Sequence, residues 1–226
     1  MCRMLVISDI HGEASKFTEL LKKAQYDPAQ DQLILLGDYI DRGPDSKAVI
    51  EKVIQLTEEG AIALKGNHED YMIKVAEKDG SVVEKWLRNG GKQTLQSYGY
   101  AVDEKSSEEV VALLQTGKIK EHIDFLKNLP CYYEKDDYIF VHGGVDPNTP
   151  LESTDPNVLM WIRDEFHQGY KGEKTVVFGH TPTMKLHGCY DVYFGENRII
   201  GIDGGCVYGG RLNCLVLPSR KVFYIE

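Results

Sequence analysis

Short apolar runs alternate with helix-length amphipathic stretches over the first seventy residues. Met4 to Ser8 reads as a strand, Glu13 to Ala24 as a helix with Phe17, Leu20, Leu21 and Ala24 on one face, and Leu33 to Leu36 as a second strand. After Gly43-Pro44 a helix carries Ala48, Val49, Val53, Ile54 and Leu56 toward a core and stops at Gly60, and Ala61 to Leu64 is a third strand. From about residue 69 to 129 the pattern is helical, broken at Asn89-Gly90-Gly91 and Ser97-Tyr98-Gly99, which predicts a helical insertion within one domain spanning 1–226. The second half is strand-rich, at 131–134, 138–141, 175–178, 190–193, 198–202, 212–217 and 222–225. Strands alternating with helices predict a mostly parallel sheet covered on both faces. Two such halves facing each other, with helices outside, would make a four-layer α/β sandwich.

Composition narrows the function classes. The 226 residues carry 26 basic and 35 acidic side chains, a net charge of −9, which argues against a nucleic-acid partner held by a basic face. The apolar fraction of 42% is enough for a packed core. No run approaches the length of a membrane span, and Met1-Cys2-Arg3 leads directly into an apolar strand, so neither a membrane partner nor a secretory leader is expected. Five cysteines without a C-x-x-C pair fit reduced, core-filling thiols in a cytoplasmic chain.

Metal-ligand side chains fall in five clusters, each directly after an expected strand. They are Ser8-Asp9-Ile10-His11-Gly12, Gly37-Asp38-Tyr39-Ile40-Asp41-Arg42-Gly43, Lys65-Gly66-Asn67-His68-Glu69, His142-Gly143-Gly144 and Gly179-His180-Thr181. Loops at the carboxyl ends of strands are where open α/β sheets gather ligands. On extended backbone Asp9 and His11 would leave on the same side and chelate one ion. Carboxylate, imidazole and amide donors without thiolate suit Mn, Fe or Zn. Asp9, His11, Asp38, Asn67, His142 and His180 are more donors than one ion needs, so two ions sharing a carboxylate are expected. Taken singly, Asp9 and Asn67 could be helix caps, and Asp41-Arg42 an ion-paired turn. His122 and His167, in polar helical context, read as solvated surface, and His187 has no assigned role.

As an ordered set these segments resemble the signature of the PPP metallophosphoesterases, which include serine/threonine protein phosphatases and symmetrical diadenosine tetraphosphate hydrolases. The likeness covers residues 5 to 217, with Ser8 where a glycine usually precedes the first aspartate. It implies a calcineurin-like αββα sandwich and two divalent ions, Mn foremost with Fe or Zn as alternatives. Asp9, His11 and Asp38 would hold one ion, and Asp38, Asn67, His142 and His180 the other. It further implies a hydroxide shared by the ions as nucleophile, His68 paired with Asp41 as general acid, and Arg42, Arg163 and Asn67 as phosphate ligands. A formal charge balance agrees, because the ions exceed the two ligand aspartates by two positive charges, which a phosphomonoester dianion neutralises.

The substrate expected first is a phosphoprotein or related phosphoester. Asn89-Gly90-Gly91, Thr94, Ser97-Tyr98-Gly99 and the segment from Ile202 to Gly210 also resemble the dinucleoside tetraphosphate branch, whose product would be ADP. Trp86, Tyr98, Tyr100 or Tyr208 could then supply a base platform, ordinary packing being the alternative for each ring. A third class, a metal-binding interaction module without turnover, is disfavoured by the complete set of ligands and of His68, Asp41, Arg42 and Arg163.

Overall fold

The computed structural model describes residues 3–77, 80–101 and 105–226. Cys2 and parts of the expected helical insertion therefore lie outside the described residues. Strand β1 (Arg3–Ile7), helix α1 (Ala14–Lys23), strand β2 (Asp31–Leu35), helix α2 (Ser46–Glu58) and strand β3 (Ile62–Ala63) form the opening alternation. Asp45 caps α2 by accepting the Ala48 N–H at 3.0 Å, and the chain leaves that helix through Gly60.

Helical segments follow: α3 (Asn67–Ala76), α4 (Val83–Trp86), α5 (Lys92–Ser97), α6 (Ser107–Leu114) and α7 (Gly117–Lys127), with a wide turn through Leu87–Gly91 between α4 and α5. The second half contains β4 (Tyr132–Lys135), β5 (Tyr138–Val141), α8 (Pro156–Trp161), α9 (Asp164–Gly169), β6 (Thr175–Phe178), α10 (Thr183–His187), β7 (Tyr193–Phe194), β8 (Ile199–Gly201), β9 (Leu212–Leu217) and β10 (Lys221–Ile225).

Two five-stranded sheets result, in the orders β10-β9-β1-β2-β3 and β4-β5-β6-β8-β7. The expectation of mostly parallel pairing is corrected: β1-β2, β2-β3, β5-β6 and β6-β8 are parallel, while β1-β9, β9-β10, β4-β5 and β7-β8 are antiparallel. Helical crossovers separate β1 from β2, β2 from β3 and β5 from β6, and these pairs are parallel. Short connections such as Asp136-Asp137 between β4 and β5 allow only a hairpin.

Strand alternation assigns the layers. On β1, Leu5 and Ile7 join the core beneath the α1–α3 helices, whereas Met4 and Val6 face the other sheet. On β5 and β6, Phe140 and Val177 meet them across the interface, while Ile139, Val141, Val176 and Phe178 pack on the α8–α9 side with Leu159 and Phe166. Both faces of the central strands are buried, so their sequences read as unbroken apolar runs. The order of layers is helices, sheet, sheet, helices.

Some local expectations change. Helix α8 was not expected, being six residues and too short for a periodic signal, whereas the helical context read around His167 corresponds to the equally short α9. Asp155-Pro156, with the Asp155 carboxylate accepting the Asn157 N–H at 2.8 Å, is the one start signal α8 carries. His122 is not on the surface: it is fully buried in α7 with Ile119, Ile123 and Leu126, and its Nδ1 accepts from the Tyr98 hydroxyl at 2.5 Å. Burial lowers its pKa to about 4 and keeps it neutral. His167 likewise packs its ring against Phe166 and Phe178 rather than facing solvent. Cys206 and Cys214 fill the core as expected, whereas Cys131 and Cys189 are half-buried.

Leu5 lies completely buried on a strand at the centre of its sheet. Leu5→Ala is expected to lower unfolding stability by about 2–5 kcal/mol, measured as a reduced urea midpoint with an unchanged slope.

Candidate active site

The five strand-end clusters converge at one edge of the two sheets. The loop after β1 lies along the loop after β2, with the amides of Asp9, His11 and Gly12 donating to the carbonyls of Gly37, Asp38 and Tyr39 at 3.1, 2.9 and 2.8 Å. The expected extended geometry of Asp9 and His11 is corrected here. Asp9, His11, Asp38, Asp41, Arg42 and His180 all have φ between 45° and 72°, the left-handed region. Each such non-glycine residue is strained by about 1 kcal/mol or more, held by surrounding hydrogen bonds and packing.

Asp38 is shared by two buried ligand groups. Donor atoms of His11, Asp38 and His68 lie within 4.8 Å of one another, and so do those of Asp38, His142 and His180. The Asp38 carboxylate is 3.6 Å from His11 Nε2 through Oδ2 and 3.4 Å from His142 Nε2 through Oδ1. Burial opposes its charge, but the imidazoles of His142, His68 and His11 outweigh this and hold its pKa well below the usual carboxylate range. Asp9 stands beside the first group, with Oδ1 3.9 Å from His11 Nε2. Asn67 belongs to the second, with Oδ1 2.8 Å from His142 Nε2.

These side chains fit a pair of divalent ions. His11 and His142 face the Ile40 and Leu36 carbonyls through Nδ1 at 2.8 and 2.9 Å. If those Nδ1 atoms carry the protons, both Nε2 lone pairs face the carboxylates. His142 Nε2 then looks at two oxygens, Asn67 Oδ1 and Asp38 Oδ1, an arrangement that calls for a cation. Accordingly the His142 pKa, which burial alone would lower, is raised to about 9 by the charge of Asp38. His180 Nε2 is buried with no hydrogen-bond partner, and burial lowers its pKa to about 2.

Ser8 occupies the usual glycine position without disturbing the turn. Its hydroxyl donates to Asp9 Oδ2 at 2.5 Å, and the His180 amide donates to the same oxygen at 3.0 Å. The room comes from Gly179, where a Cβ would overlap both Ser8 Oγ and Asp9 Oδ2.

His68 and Asp41 form a second buried pair. His68 Nδ1 donates to Asp41 Oδ2 at 2.6 Å, and Nε2 points toward Asp38 Oδ2 at 3.9 Å. Burial disfavours the imidazolium, yet Asp38 and Asp41 together raise the His68 pKa above its ordinary value. Asp41 is itself fully buried and accepts from Thr94 Oγ1 at 2.6 Å and from the Trp86 indole at 3.1 Å. Trp86 is therefore no base platform; it holds the partner of His68. Gly90 lets the turn between α4 and α5 touch the site: its φ is 115°, its carbonyl accepts the Arg42 amide at 3.3 Å, and a Cβ there would strike that amide nitrogen.

The sequence reading gave no role to two carboxylates that the structure places at the site. Glu69 is fully buried and accepts the amides of Asp38, Gly66 and Tyr39 at 2.8, 2.9 and 2.9 Å, tying the second cluster to the start of α3. Its place three residues after Gly66 is a capping-box spacing. Burial and the Asp38 charge raise its pKa to about 7. Asp203, just after β8, lines the cleft and accepts the Gly205 amide at 2.9 Å, and burial beside Asp9 raises its pKa well above the carboxylate range. It ends a strand as the other clusters do.

A cleft of about 530 Å³ opens over this centre, lined by Asp9, Asp38, Asn67, His68 and His180 and by both expected phosphate ligands, Arg42 and Arg163. Arg42 donates to His11 Nε2, the lone pair a metal would take, and its guanidinium lies 5.3 Å from the Tyr208 ring. Metal binding and the Arg42–His11 contact therefore exclude each other. Of the other candidate platforms only Tyr208 reaches the cleft, while Tyr98 is engaged with His122.

A shared Asp38 has a measurable consequence. Asp38→Asn should lose both equivalents of manganese in elemental analysis of the dialysed protein, whereas His180→Ala should retain one. Far-UV circular dichroism serves as the control for folding.

The calcineurin-like phosphoesterase family model matches residues 2–198. The chain is 27% identical to serine/threonine-protein phosphatase 1 of Salmonella typhimurium, over 92% of this chain and 88% of that protein. It is also 27% identical to the asymmetrical bis(5'-nucleosyl)-tetraphosphatase PrpE of Anoxybacillus flavithermus, over 96% and 91%. A symmetrical bis(5'-nucleosyl)-tetraphosphatase of Chromobacterium violaceum is 26% identical, over 96% and 92%. Among solved structures, a serine/threonine phosphatase from Saccharomyces cerevisiae shares the fold at a TM-score of 0.66 and 13% identity, covering all of this chain and 80% of that one. The family match across most of the chain, with two sheets flanked by helices and aspartate–histidine groups at their common edge, makes this protein a member of the calcineurin-like metallophosphoesterases.

Proposed function

We propose that this metal-dependent phosphoesterase cleaves phosphoesters by direct in-line attack of water, with phosphoserine and phosphothreonine esters as its first substrate class. The observation that carries the mechanism is the buried Asp41–His68 pair, whose imidazole lines the cleft 3.9 Å from the shared Asp38. When bound, two divalent ions supply an acidified water and positive charge for the phosphoryl oxygens. Asp9, His11, Asp38, Asn67, His142 and His180 would hold them, and oxygen and imidazole donors without thiolate favour manganese, with iron or zinc as alternatives.

Arg42 and Arg163 reach the cleft with planar, paired donors suited to a phosphoryl group, and Asn67 sits beside them. As the new P–O bond forms and the ester bond breaks, the leaving alkoxide needs a proton. His68 donates it from Nε2, and Asp41 steadies the ring through Nδ1. Among the described residues lining the cleft there is no serine, threonine or cysteine nucleophile, which supports hydrolysis without a phosphoenzyme.

The cleft walls favour a second reading, hydrolysis of a dinucleoside polyphosphate. Tyr71, Trp161, Tyr190 and Tyr208 line it together with Lys85 and Lys185, offering ring faces and cations beyond what a phosphomonoester uses. Similarity to the two tetraphosphatases supports this reading as similarity to the Salmonella phosphatase supports the first.

Two measurements follow. His68→Asn is expected to lower kcat on alkyl phosphate esters by roughly 10²–10⁴ while changing turnover of p-nitrophenyl phosphate far less, because nitrophenolate leaves without a proton. Equal losses on both would remove His68 from the acid role. Comparing a phosphoserine peptide with diadenosine tetraphosphate at one Mn²⁺ concentration decides the substrate: a higher kcat/KM on the peptide is expected from the first reading, and clean ADP release at a much higher kcat/KM from the second.

A further inference from the structure

The phosphate ligands of the reacting centre do not account for the cations in the cleft. Lys85 on α4 holds Nζ 5.0 Å from the Tyr71 ring centre and 5.9 Å from that of Trp161. Those rings pack edge to face at 5.1 Å, and Trp161 continues edge-on to the His180 ring at 5.6 Å. An aromatic shelf thus runs from a metal-ligand histidine out to a lysine.

Lys85 forms no ion pair among the described residues, and neither do Arg163 and Lys185, which line the same cleft. Carboxylates are plentiful in a chain with 35 acidic and 26 basic residues. Three residues along, Arg88 pairs with Glu84 at 3.2 Å, and on the neighbouring helix Lys74 pairs with Asp70 at 2.6 Å. Three unpaired cations converging on the one cleft that holds the metal-ligand cluster suit an anionic ligand. The shelf also gives Lys85 a defined position, because a ring face attracts an ammonium without neutralising it.

The position is tied to the chemistry. Trp86, the next residue, is anchored through its indole to Asp41, which fixes the rotation of α4, and Lys85, about 100° round the helix, lines the cleft. A dianionic phosphomonoester balances the charge of the two ions and their aspartates, with Arg42 and Arg163 as its donors. Lys85 and Lys185 then remain in excess.

We infer that Lys85, on the Tyr71–Trp161 shelf in the cleft that Arg163 also lines, forms an accessory anion subsite that takes a second phosphoryl group adjoining the scissile one, so that the cleft selects oligophosphate esters. This deepens the second substrate reading and rests on it for the identity of the natural substrate. A phosphoryl group bound there would share the cleft with Trp161 and His180. The ligand class is a diphosphate linkage, whether from a nucleotide or from inorganic phosphate chains.

Inhibition of p-nitrophenyl phosphate hydrolysis by orthophosphate, pyrophosphate and ADP, all at one free Mn²⁺ concentration, tests the subsite. The wild type should bind pyrophosphate more tightly than orthophosphate. The ratio of the two inhibition constants should fall about tenfold in Lys85→Met, the effect of one charge-assisted contact. Lys118→Met, which removes one distant charge, should leave the ratio as it was. A parallel loss for ADP would assign the subsite to the diphosphate of a nucleotide, and a loss for pyrophosphate alone to inorganic chains. An unchanged ratio in Lys85→Met, or an equal weakening of orthophosphate, would overturn the inference. If the ratio collapses while the wild type does not cleave diadenosine tetraphosphate, the subsite stands and the dinucleotide reading falls.

Discussion

The buried carboxylate of Asp38 sits among three imidazoles, and the rest of the site is arranged to keep it there. Its Oδ1 accepts the His68 amide at 3.0 Å, and its own amide is held by Glu69 at 2.8 Å. Its backbone occupies the left-handed region at a φ of 56°. An ionised carboxylate in such a place is stable only when surrounded by positive charge or by strong donors. The histidines supply part of this, and a pair of cations would supply the rest.

Fold and site are connected through that constraint. Both sheets end their parallel strands at the same edge, so loops from the first sheet carrying Asp9, His11, Asp38 and Asn67 meet loops from the second carrying His142 and His180. The inter-sheet core of Met4, Val6, Ile34, Phe140, Val177 and Leu215 sets the spacing between those loops. The insertion between β3 and β4 contributes Trp86 and Thr94, which reach Asp41 from outside the sheets. Strain in the six left-handed residues is borne by this packing, as befits a site that must be formed before its ligand arrives.

What could be read beforehand depended on how local the signal was. The strand-end clusters and the sandwich were legible because ligand residue types beside glycine, directly after an apolar run, are a local pattern. Glu69 was present in one of those clusters but its role was not legible, since its partners Asp38 and Tyr39 lie about thirty residues away. Trp86 gave no sign that its indole holds Asp41, because an aromatic ring in a helix looks the same whether it packs or donates. His122 was misread because the polar neighbours in α7 masked its place on the Ile119–Leu126 face.

The sequence by itself determined the element order, the apolar faces that make two sheets stack, and the strand-end aspartates and histidines that the fold gathers as candidate metal ligands. Tertiary structure alone decided the left-handed backbone at Asp9 and His11, the antiparallel outer strands, the anchoring of Asp41 by Trp86 and Thr94, and the shelf that carries Lys85 to the cleft. The physical reason is range: propensity and periodicity act over a few residues, whereas carboxylate desolvation, ring packing and charge pairing depend on distances that only the closed fold establishes.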